Sequence, residues 1–445
     1  MGWLSSTVRR KPLGAPGPPL APLPPPQEAP RGFWRLALPV LLLLYLALAG
    51  IHARLVPLGA TGYQNAPDEA AHMAYVRAVA GGQLPTRDKA AQNPIGYEWH
   101  QPPLYYWLAA RLLPWGERAV RGFSVLCGLG GLLLIYRAGR LLFPNEPVLA
   151  ILAAGIAALT PTHIAITSTV NNDPLLEVCF SGTLLVLLGA FLGGFTLWRA
   201  GWLGLLLGAA LLTKATGLLL LPVVVLALFL LWRAGERPQD LLRGAGWMAL
   251  LMLAVSGWWF VRNARLYGEP LPLRAFAASF AGTMQAQTVA DRLGGWPEYL
   301  LFMTWGIFRS FWAVYGTRQD AVLGVPRFLP DQIYGVLGGV SVAGLAGLIR
   351  LHLRRRTDFT ETQLYFLWIL FAAVGVVAIS FLAFILQYFQ MQGRYLYPAM
   401  LPICLLLALG WRGVFPPRYR DLASGMLLAL LAAAAAAFLR SVAPL

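Results

Sequence analysis

The side chains best suited to chemistry in this chain lie in one polar stretch between residues 65 and 106. They are Asp68, Glu69, His72, Glu98 and His100. A carboxylate can act as a general base toward a hydroxyl group, and a neighbouring carboxylate or imidazole can orient it. A helix that begins after Pro67 would place His72 beside Asp68 and Glu69. Acidic residues also stabilise a helix N-terminus through its dipole, so a structural role for the pair stays open.

Glu98 and His100 come just before two consecutive prolines, Pro102 and Pro103. Prolines disfavour a helix on their N-terminal side and allow one to begin at their position. We therefore expect Glu98 and His100 on an extended segment at the start of a helix. The alternative is a belt of aromatic residues with a turn at a membrane surface, in which His100 is only a structural hydrogen-bonding group.

A second acidic segment, Asn172-Asp173-Pro174, interrupts the chain between two apolar runs. These residue types form turns and cap helices, and that is the simpler interpretation. If this segment faces the first acidic stretch, it would instead supply contacts to sugar hydroxyls or to a divalent ion.

Three cations, Lys214, Arg262 and Arg394, lie within or at the ends of apolar segments. A charge inside a membrane is costly and usually functional, although a long side chain can also extend to the interface. Three cations that converge on one surface would suit a phosphate or pyrophosphate leaving group.

The composition excludes an ordinary soluble protein. The 445 residues are 58% hydrophobic and only 12% charged, which a bilayer accommodates and a soluble core of this size does not. The formal charge of +16 would suggest nucleic acid in a soluble protein, but membrane proteins collect basic residues in cytoplasmic loops. Residues 1–33 are rich in proline and predict a disordered cytoplasmic tail.

The apolar runs after this tail predict an all-α polytopic membrane domain over residues 34–445, with about eleven transmembrane helices. They lie near residues 34–51, 119–142, 147–161, 175–197, 202–213, 217–232, 244–261, 332–349, 363–386, 395–411 and 422–439. Two short runs meet at Lys214 and could form one long helix. Fusing them would turn the arginine cluster at residues 350–356 outward, so the positive-inside rule favours two spans and a cytoplasmic N-terminus.

Two loops on the predicted outer face, residues 52–118 and 262–331, are too long to be simple connections. We expect amphipathic helices in the first, and the aromatic residues spaced along 296–315 predict an interfacial helix in the second. The outer face is also basic, which the positive-inside rule does not predict. A lipid-linked phosphate is the anionic partner that this charge favours.

Several motifs in this order resemble the GT-C glycosyltransferases, multi-span enzymes that use polyprenyl-phosphate-linked sugars, and among them the protein mannosyltransferase and aminoarabinose transferase group. The resemblance covers about residues 34–412. It is carried by Pro67-Asp68-Glu69, the segment from Pro102 to Leu108, Asn172-Asp173, Leu212-Thr213-Lys214, the segment from Gly257 to Asn263, and the segment from Gly393 to Pro398.

The resemblance implies a role for each candidate residue. Asp68 would be the general base, and Glu69 would assist it. The residues that would hold the departing phosphate are Lys214, Arg262 and Arg394. Further contacts to the substrates are expected from His72, Glu98, His100, Asn172, Asp173 and Tyr397.

The function implied is inverting transfer of a sugar from a polyprenyl-phosphate donor to a hydroxyl of a lipid, glycan or protein acceptor, outside a bacterial inner membrane. Some relatives depend on a metal, but the first outer loop lacks an Asp-x-Asp motif, so no metal or other cofactor is indicated. Nucleic acid is not an expected partner. The alternative function is a transporter or flippase for a lipid-linked anion, with the acidic pair as a proton relay.

Overall fold

The computed structural model describes residues 32–58, 66–91, 96–279, 281–317, 326–353 and 359–442, so nearly all of the predicted tail 1–33 lies outside these ranges. The described residues are almost entirely helical. The α-helices are α1 (Trp34–Leu55), α2 (Glu69–Ala80), α3 (Arg87–Ala91), α4 (Leu104–Ala110), α5 (Glu117–Leu142), α6 (Pro147–Leu159), α7 (Pro161–Thr167), α8 (Asp173–Gly193), α9 (Leu197–Thr213), α10 (Leu220–Arg233), α11 (Pro238–Tyr267), α12 (Leu273–Ser279), α13 (Ala286–Leu293), α14 (Trp296–Trp312), α15 (Asp331–Leu353), α16 (Glu361–Ile385), α17 (Met400–Val414) and α18 (Arg420–Val442).

Short 3-10 helices and two strands complete these elements. The 3-10 helices are Gly96–His100, Leu113–Trp115, Ala215–Leu219, Gly393–Ala399 and Pro417–Tyr419. The strands β1 (Tyr315–Thr317) and β2 (Pro326–Arg327) pair antiparallel.

The predicted polytopic membrane architecture is confirmed. Among the described residues, nine helical segments are long and apolar enough to cross a membrane, and α6 and α7 would form a tenth span that is bent by 69°. The 17-residue apolar helix α9 is shorter than these. Counting α9 and the bent pair reproduces the eleven predicted runs.

The centre of the bundle is α6, whose residues are buried on every side from Val148 to Leu159. Such a helix has no polar face because α1, α5, α17 and α18 surround it. The spans nearer the edge of the bundle leave large apolar side chains exposed, including Leu36, Val225, Leu253 and Ile379. A lipid environment explains these exposed side chains, since hydrocarbon is as apolar as they are.

Helices α15 and α17 approach each other until their backbones touch. A Cβ atom added at Gly410 would lie 2.0 Å from the carbonyl oxygen of Gly344, and one added at Gly347 would lie 1.8 Å from the carbonyl oxygen of Gly410. Small residues permit this approach between membrane helices, where packing rather than the hydrophobic effect drives association. The contact therefore fixes α17 firmly against α15.

The long first loop folds into short helices, as predicted. Helices α2 and α4 pack on each other, and the 3-10 helix Gly96–His100 lies against α2 and α3. Their core contains Met73, Tyr75, Val76, Tyr105 and Tyr106, with the rings of Tyr75 and Tyr106 stacked 3.8 Å apart. The described residues of the loop thus form a small packed layer.

A break in the helical path lies at Lys214. Helix α9 ends at Thr213, Lys214 is extended, and the 3-10 helix Ala215–Leu219 leads into α10. Gly217 is required here, because a Cβ atom at this position would lie 2.7 Å from the backbone of Ala210. The two short predicted spans are therefore separate helices, and the break places the Lys214 side chain beside Asp173 at the start of α8.

Candidate active site

Asp68 occupies a special position at the start of α2. It is the N-cap residue, not a first-turn residue as predicted, and its φ of 63° makes it the one described non-glycine residue with a positive φ. Its carboxylate accepts hydrogen bonds from the Tyr97 hydroxyl at 2.9 Å and from Arg394 Nη2 at 2.5 Å, and its side chain is 31% exposed. Strained backbone of this kind is concentrated at functional sites.

The carboxylate of Asp68 is ionised. Burial acts to raise its pKa, but the charge of Arg394 and the hydrogen bonds from Arg394 and Tyr97 outweigh burial and hold the pKa below its usual range. Asp68 is thus a partly accessible anion whose basicity depends on where the Arg394 guanidinium lies.

Glu69 does not share this environment, although it is the next residue. Its side chain is buried, and Arg121 donates to both carboxylate oxygens, from Nε at 2.7 Å and from Nη2 at 2.5 Å. The backbone N–H of Val170 also donates to Glu69. The structure thus directs Glu69 into the protein, where it joins three elements, and not toward the carboxylate of Asp68. The predicted assisting role has no support in this geometry.

His72, Glu98 and His100 surround Asp68 as predicted. His72 Nδ1 is 2.8 Å from the Tyr106 hydroxyl, and the His100 ring donates through Nδ1 to the carbonyl oxygen of Tyr97 at 3.2 Å. The segment is a 3-10 helix rather than the extended strand we expected. Its tight turn brings Glu98 back toward α2, while Pro103 precedes the first residue of α4, as predicted.

The electrostatic environment favours uncharged forms of these three groups. Burial raises the pKa of Glu98 above its ordinary value, lowers the pKa of His72, and lowers the pKa of His100 to about 4. Glu98 Oε2 is buried and has no hydrogen-bond partner within the part of the chain that the structure describes. Neutral donors and acceptors of this type suit the hydroxyl groups of a sugar better than they suit an ion.

Asp68, His72 and Glu98 each offer a ligand atom within 4.8 Å of the other two. Two carboxylates and one imidazole are donors that suit a divalent cation. Arg394 opposes such an ion, because its guanidinium already occupies one carboxylate oxygen of Asp68. A cation would fit here only after Arg394 moved away.

The second acidic segment faces the first. Asp173 begins α8, and its carboxylate pairs with Lys214 and lies 3.7 Å from Arg394 Nη1. Asn172 is fully buried and donates to Gln101 Oε1 and to the Thr213 carbonyl, each at 3.1 Å. Asn172 therefore ties together the three segments that meet here, while Asp173, Lys214 and Arg394 form a chain of alternating charge that ends at Asp68.

These groups line one cavity of about 420 Å³ with two chemically different ends. The polar end contains Asp68, His72, Glu98, Asp173, Lys214 and Arg394. The apolar end contains Leu219, Leu271, Phe276, Val377, Phe381 and Phe384. Val377, Phe381 and Phe384 belong to α16, which is a candidate membrane span, so the apolar end lies against a helix of the membrane domain.

Two predicted residues lie elsewhere. Arg262 donates to the Pro85 carbonyl at 2.9 Å and stacks on the Trp259 ring, so it anchors the first loop to α11 and does not line the cavity. Tyr397 is buried and donates to the Phe311 carbonyl at 2.7 Å. The predicted contacts of Arg262 and Tyr397 with substrate are therefore not supported by their positions.

Other cavity residues were missed by the sequence analysis. Gln392 accepts from Arg394 Nε at 2.6 Å, and Lys214 lies 5.9 Å from the centre of the Tyr395 ring. Tyr97 and Gln101 also line the cavity. Tyr97 and Gln101 flank His100 within one motif, and Gln392 and Tyr395 flank Arg394, so proximity to a predicted residue was the signal that could have found them.

Residues 100–260 match the family model described as dolichyl-phosphate-mannose-protein mannosyltransferase. A comparison with curated proteins found no match. The residues matched by the family model begin at His100 and include Asn172, Asp173 and Lys214, and Asp173 and Lys214 belong to the polar end of the cavity.

Solved structures give a likeness over most of the chain. ArnT from Cupriavidus metallidurans bound to undecaprenyl phosphate is similar with a TM-score of 0.52 and 16% identity, over 88% of this chain and 62% of that chain. The apo state of ArnT is similar with a TM-score of 0.53 and 18% identity, over 86% of this chain and 61% of that chain. This chain therefore spans less than two thirds of the length of ArnT. The likeness to ArnT shows a shared fold over most of this chain, and the family match covers less than half of it.

Proposed function

We propose that this chain transfers a sugar from a polyprenyl-phosphate donor to an acceptor hydroxyl, with inversion at the anomeric carbon. The observation that carries the proposal is the single cavity with an ionic end and an apolar end. A lipid-linked sugar phosphate has the same division, because its phosphate and sugar are polar and its polyprenyl chain is apolar. The likeness to ArnT bound to undecaprenyl phosphate supports the same class of donor.

Asp68 is the proposed general base. Its carboxylate removes the proton of the acceptor hydroxyl as the oxygen attacks the anomeric carbon, and the bond to the lipid phosphate breaks on the opposite face. The proton goes to Asp68, and the electron pair of the broken bond goes to the phosphate oxygen. His72, Glu98 and His100 lie beside Asp68 and would bind hydroxyl groups of the sugar or the acceptor.

Lys214 and Arg394 are the proposed cations for the leaving phosphate. Negative charge on the phosphate increases as the glycosidic bond breaks, so cations that contact it stabilise the transition state more than the ground state. Without substrate, Asp173 and Asp68 hold these cations. A phosphate that binds Arg394 would draw the guanidinium from Asp68, and the carboxylate would then become a stronger base when the donor is present.

The apolar end of the cavity would receive the first part of the polyprenyl chain. Phe381 and Phe384 lie on the last turns of α16, and Phe276 faces them from α12. We place the cavity on the outer face of a bacterial inner membrane, with the N-terminus in the cytoplasm. The distribution of arginine between the loops supports this orientation.

A reconstituted transfer assay tests the proposal. Purified protein is incubated with a polyprenyl-phosphate sugar and a hydroxyl acceptor, and released polyprenyl phosphate and glycosylated product are measured together. We expect both with the wild-type protein and neither with Asp68→Asn. Release of lipid phosphate without any glycosylated acceptor would indicate hydrolysis and would contradict the proposed transfer.

The alternative, a transporter or flippase, has one structural observation in its favour. The chain is broken at Lys214 and bent by 69° between α6 and α7, and transporters often use interrupted helices at their binding sites. Movement of an intact lipid-linked sugar between the leaflets of a vesicle, with no product formed, would favour this function over transfer.

A further inference from the structure

A second polar cavity lies at the opposite end of α16 from the proposed active site. Its volume is about 360 Å³, within the range of small-molecule sites. Thr360 and Gln363 line it at the first turn of α16, whereas Phe381 and Phe384 line the main cavity at the last turns. Because a helix rises about 1.5 Å per residue, roughly 30 Å separate the two cavities. The proposed sugar transfer in the main cavity therefore does not account for the polar residues of this second cavity.

Two arginines and one carboxylate define the charge of this second cavity. Arg412 is 6% exposed, and its Nη2 donates to Glu146 Oε2 at 2.5 Å, while Arg420 Nη1 donates to Glu146 Oε1 at 3.2 Å. Outside the lining, Asp421 and Ser424 accept from Arg412 Nη1 at 2.8 and 3.1 Å. The two arginines thus share two carboxylates, of which only Glu146 lines the cavity.

Arg412 is only partly satisfied by these partners. Its Nε is buried and has no hydrogen-bond partner among the residues that the structure describes. The edge of a guanidinium formed by Nε and Nη2 can bind two oxygens of one oxyanion at once, yet Glu146 contacts only Nη2. Arg412 lines the cavity and keeps this donor unused, so a small shift of its side chain would let it bind a second oxyanion there.

The helices around this cavity add to its positive potential. Helices α6, α16 and α18 all begin at its rim, with Glu146, Thr360 and Arg420 lining it at or beside their N-termini. Helix N-termini carry partial positive charge and favour anions. From the unused Arg412 donor, the two arginines in the lining and these N-termini, we infer that this cavity binds a phosphate group.

The phosphate could belong to the headgroup of an anionic lipid or to a soluble phosphate compound, and the two share this recognition chemistry. In either case its oxygens would bridge Arg412 and Arg420, and Glu146 would compete with it for the same donors. The inference is independent of the proposed sugar transfer, because it uses none of the residues of the main cavity.

Binding measurements on the full chain test this site. The Lys214→Gln variant is used as the background, so that phosphate bound in the main cavity is weakened. Native mass spectrometry measures retention of phosphatidylglycerol, and thermal unfolding measures the effect of inorganic phosphate. Retention of the lipid alone would indicate a headgroup site, and stabilisation by inorganic phosphate alone would indicate a soluble ligand.

Three further substitutions should weaken, tighten and leave unchanged the binding of phosphate in this cavity. Arg420→Gln should weaken binding roughly tenfold, because one charge-assisted hydrogen bond is lost. Glu146→Gln should tighten binding, because the competing carboxylate loses its charge. Arg418→Gln removes the same charge from an exposed position outside the lining and should change nothing. Equal binding by all three variants, weaker binding by Glu146→Gln, or no binding of either probe would overturn the inference.

Discussion

Asp68 combines an unusual backbone conformation with a reactive side chain. A non-glycine residue at φ 63° costs free energy, but aspartate and asparagine tolerate this region better than other residues do. The surrounding contacts from Tyr97 and Arg394 hold the carboxylate at the mouth of the polar end. The conformation thus presents the side chain to the cavity while the rest of α2 packs into the first-loop layer.

Asp68→Asn should abolish transfer without unfolding the protein. Asparagine adopts the same backbone conformation, and it lacks only the basic oxygen. General base catalysis contributes roughly 10²–10⁴-fold, and we expect a loss of rate in that range. Product formation at saturating donor measures it. Asp88→Asn, an exposed change in the same loop, is the matched control, and a rate within a few-fold of wild type for Asp68→Asn would refute the role of the base.

Substitutions of Arg394 should separate its effect on the pKa of Asp68 from its effect on binding of the donor phosphate. The proposed reaction requires ionised Asp68, so activity should be lost as the pH falls through the pKa of that carboxyl. Since Arg394 lowers this pKa, Arg394→Gln should move the acidic limit of activity to higher pH. Arg394→Lys keeps the charge but loses the planar fork, so it should leave that limit nearly unchanged and raise the donor KM.

Rate profiles against pH at several donor concentrations distinguish these effects. If Arg394→Lys and wild type have the same donor KM, Arg394 serves only as a structural cation. An acidic limit that is the same in Arg394→Gln and wild type would show that Asp68 is not the group that titrates.

Removal of divalent metal should leave transfer intact. Lys214 and Arg394 already provide positive charge where the phosphate would bind, and Arg394 occupies the Asp68 oxygen that a cation at Asp68, His72 and Glu98 would need. Transfer is measured after treatment with a chelator and after addition of Mn²⁺ or Mg²⁺. A loss of activity that either metal restores would instead assign those three residues to a metal site.

At the scale of elements, Arg121 is the residue that joins the first loop to the bundle. It lies on α5, it is 1% exposed, and besides Glu69 it donates to the carbonyl oxygens of Ala53, Val56 and Pro57 at 2.6–3.0 Å. These carbonyls lie at the end of α1. One buried guanidinium thus fixes the end of α1 and the start of α2, the helix that carries Asp68.

Arg121→Ala should therefore destabilise the protein strongly. Removing one member of a buried ion pair leaves the other charge unpaired, at a cost of roughly 3–5 kcal/mol. Thermal unfolding of detergent-solubilised protein measures the effect, and Glu69→Gln should also lower the Tm. Arg118→Ala, an exposed position one turn earlier on α5, should unfold at the wild-type temperature. Equal Tm values for the two alanine variants would contradict this role.

The sequence predicted the elements better than the direction of individual side chains. Apolar runs predicted the positions of the membrane spans. The charged residue Lys214 within such a run indicated the break between α9 and α10. Adjacent residues, however, point to different sides of a helix, so Asp68 reaches the cavity while Glu69 pairs with Arg121. That pairing joins positions far apart in the chain, and no local pattern reveals it. For the same reason, no local pattern reveals that Arg262, which was expected to hold the phosphate, contacts Pro85 and Trp259.

At the scale of the whole molecule, the proposed orientation places the first loop outside and the connection between α10 and α11 inside. Single cysteines at Asp88 and at Arg237, both exposed, test it with a reagent that does not cross membranes. We expect labelling in intact cells only at position 88, and at 237 only after permeabilisation. The native cysteines Cys127, Cys179 and Cys404 are buried, which limits background labelling. Labelling at 237 in intact cells would reverse the orientation.

The close contact of α15 with α17 should influence the position of Arg394, although the two lie at opposite ends of one span. Gly410 lies near one end of the span Gly393–Val414, and Arg394 lies at the other end. The packing of this span against Gly344 should therefore affect the position of the Arg394 guanidinium. A methyl group added at Gly410 would push the span outward without altering a single cavity residue. Such a variant would keep every residue of the main cavity but change the distances between them, so a defect in the proposed transfer could originate at the end of the span farthest from Arg394.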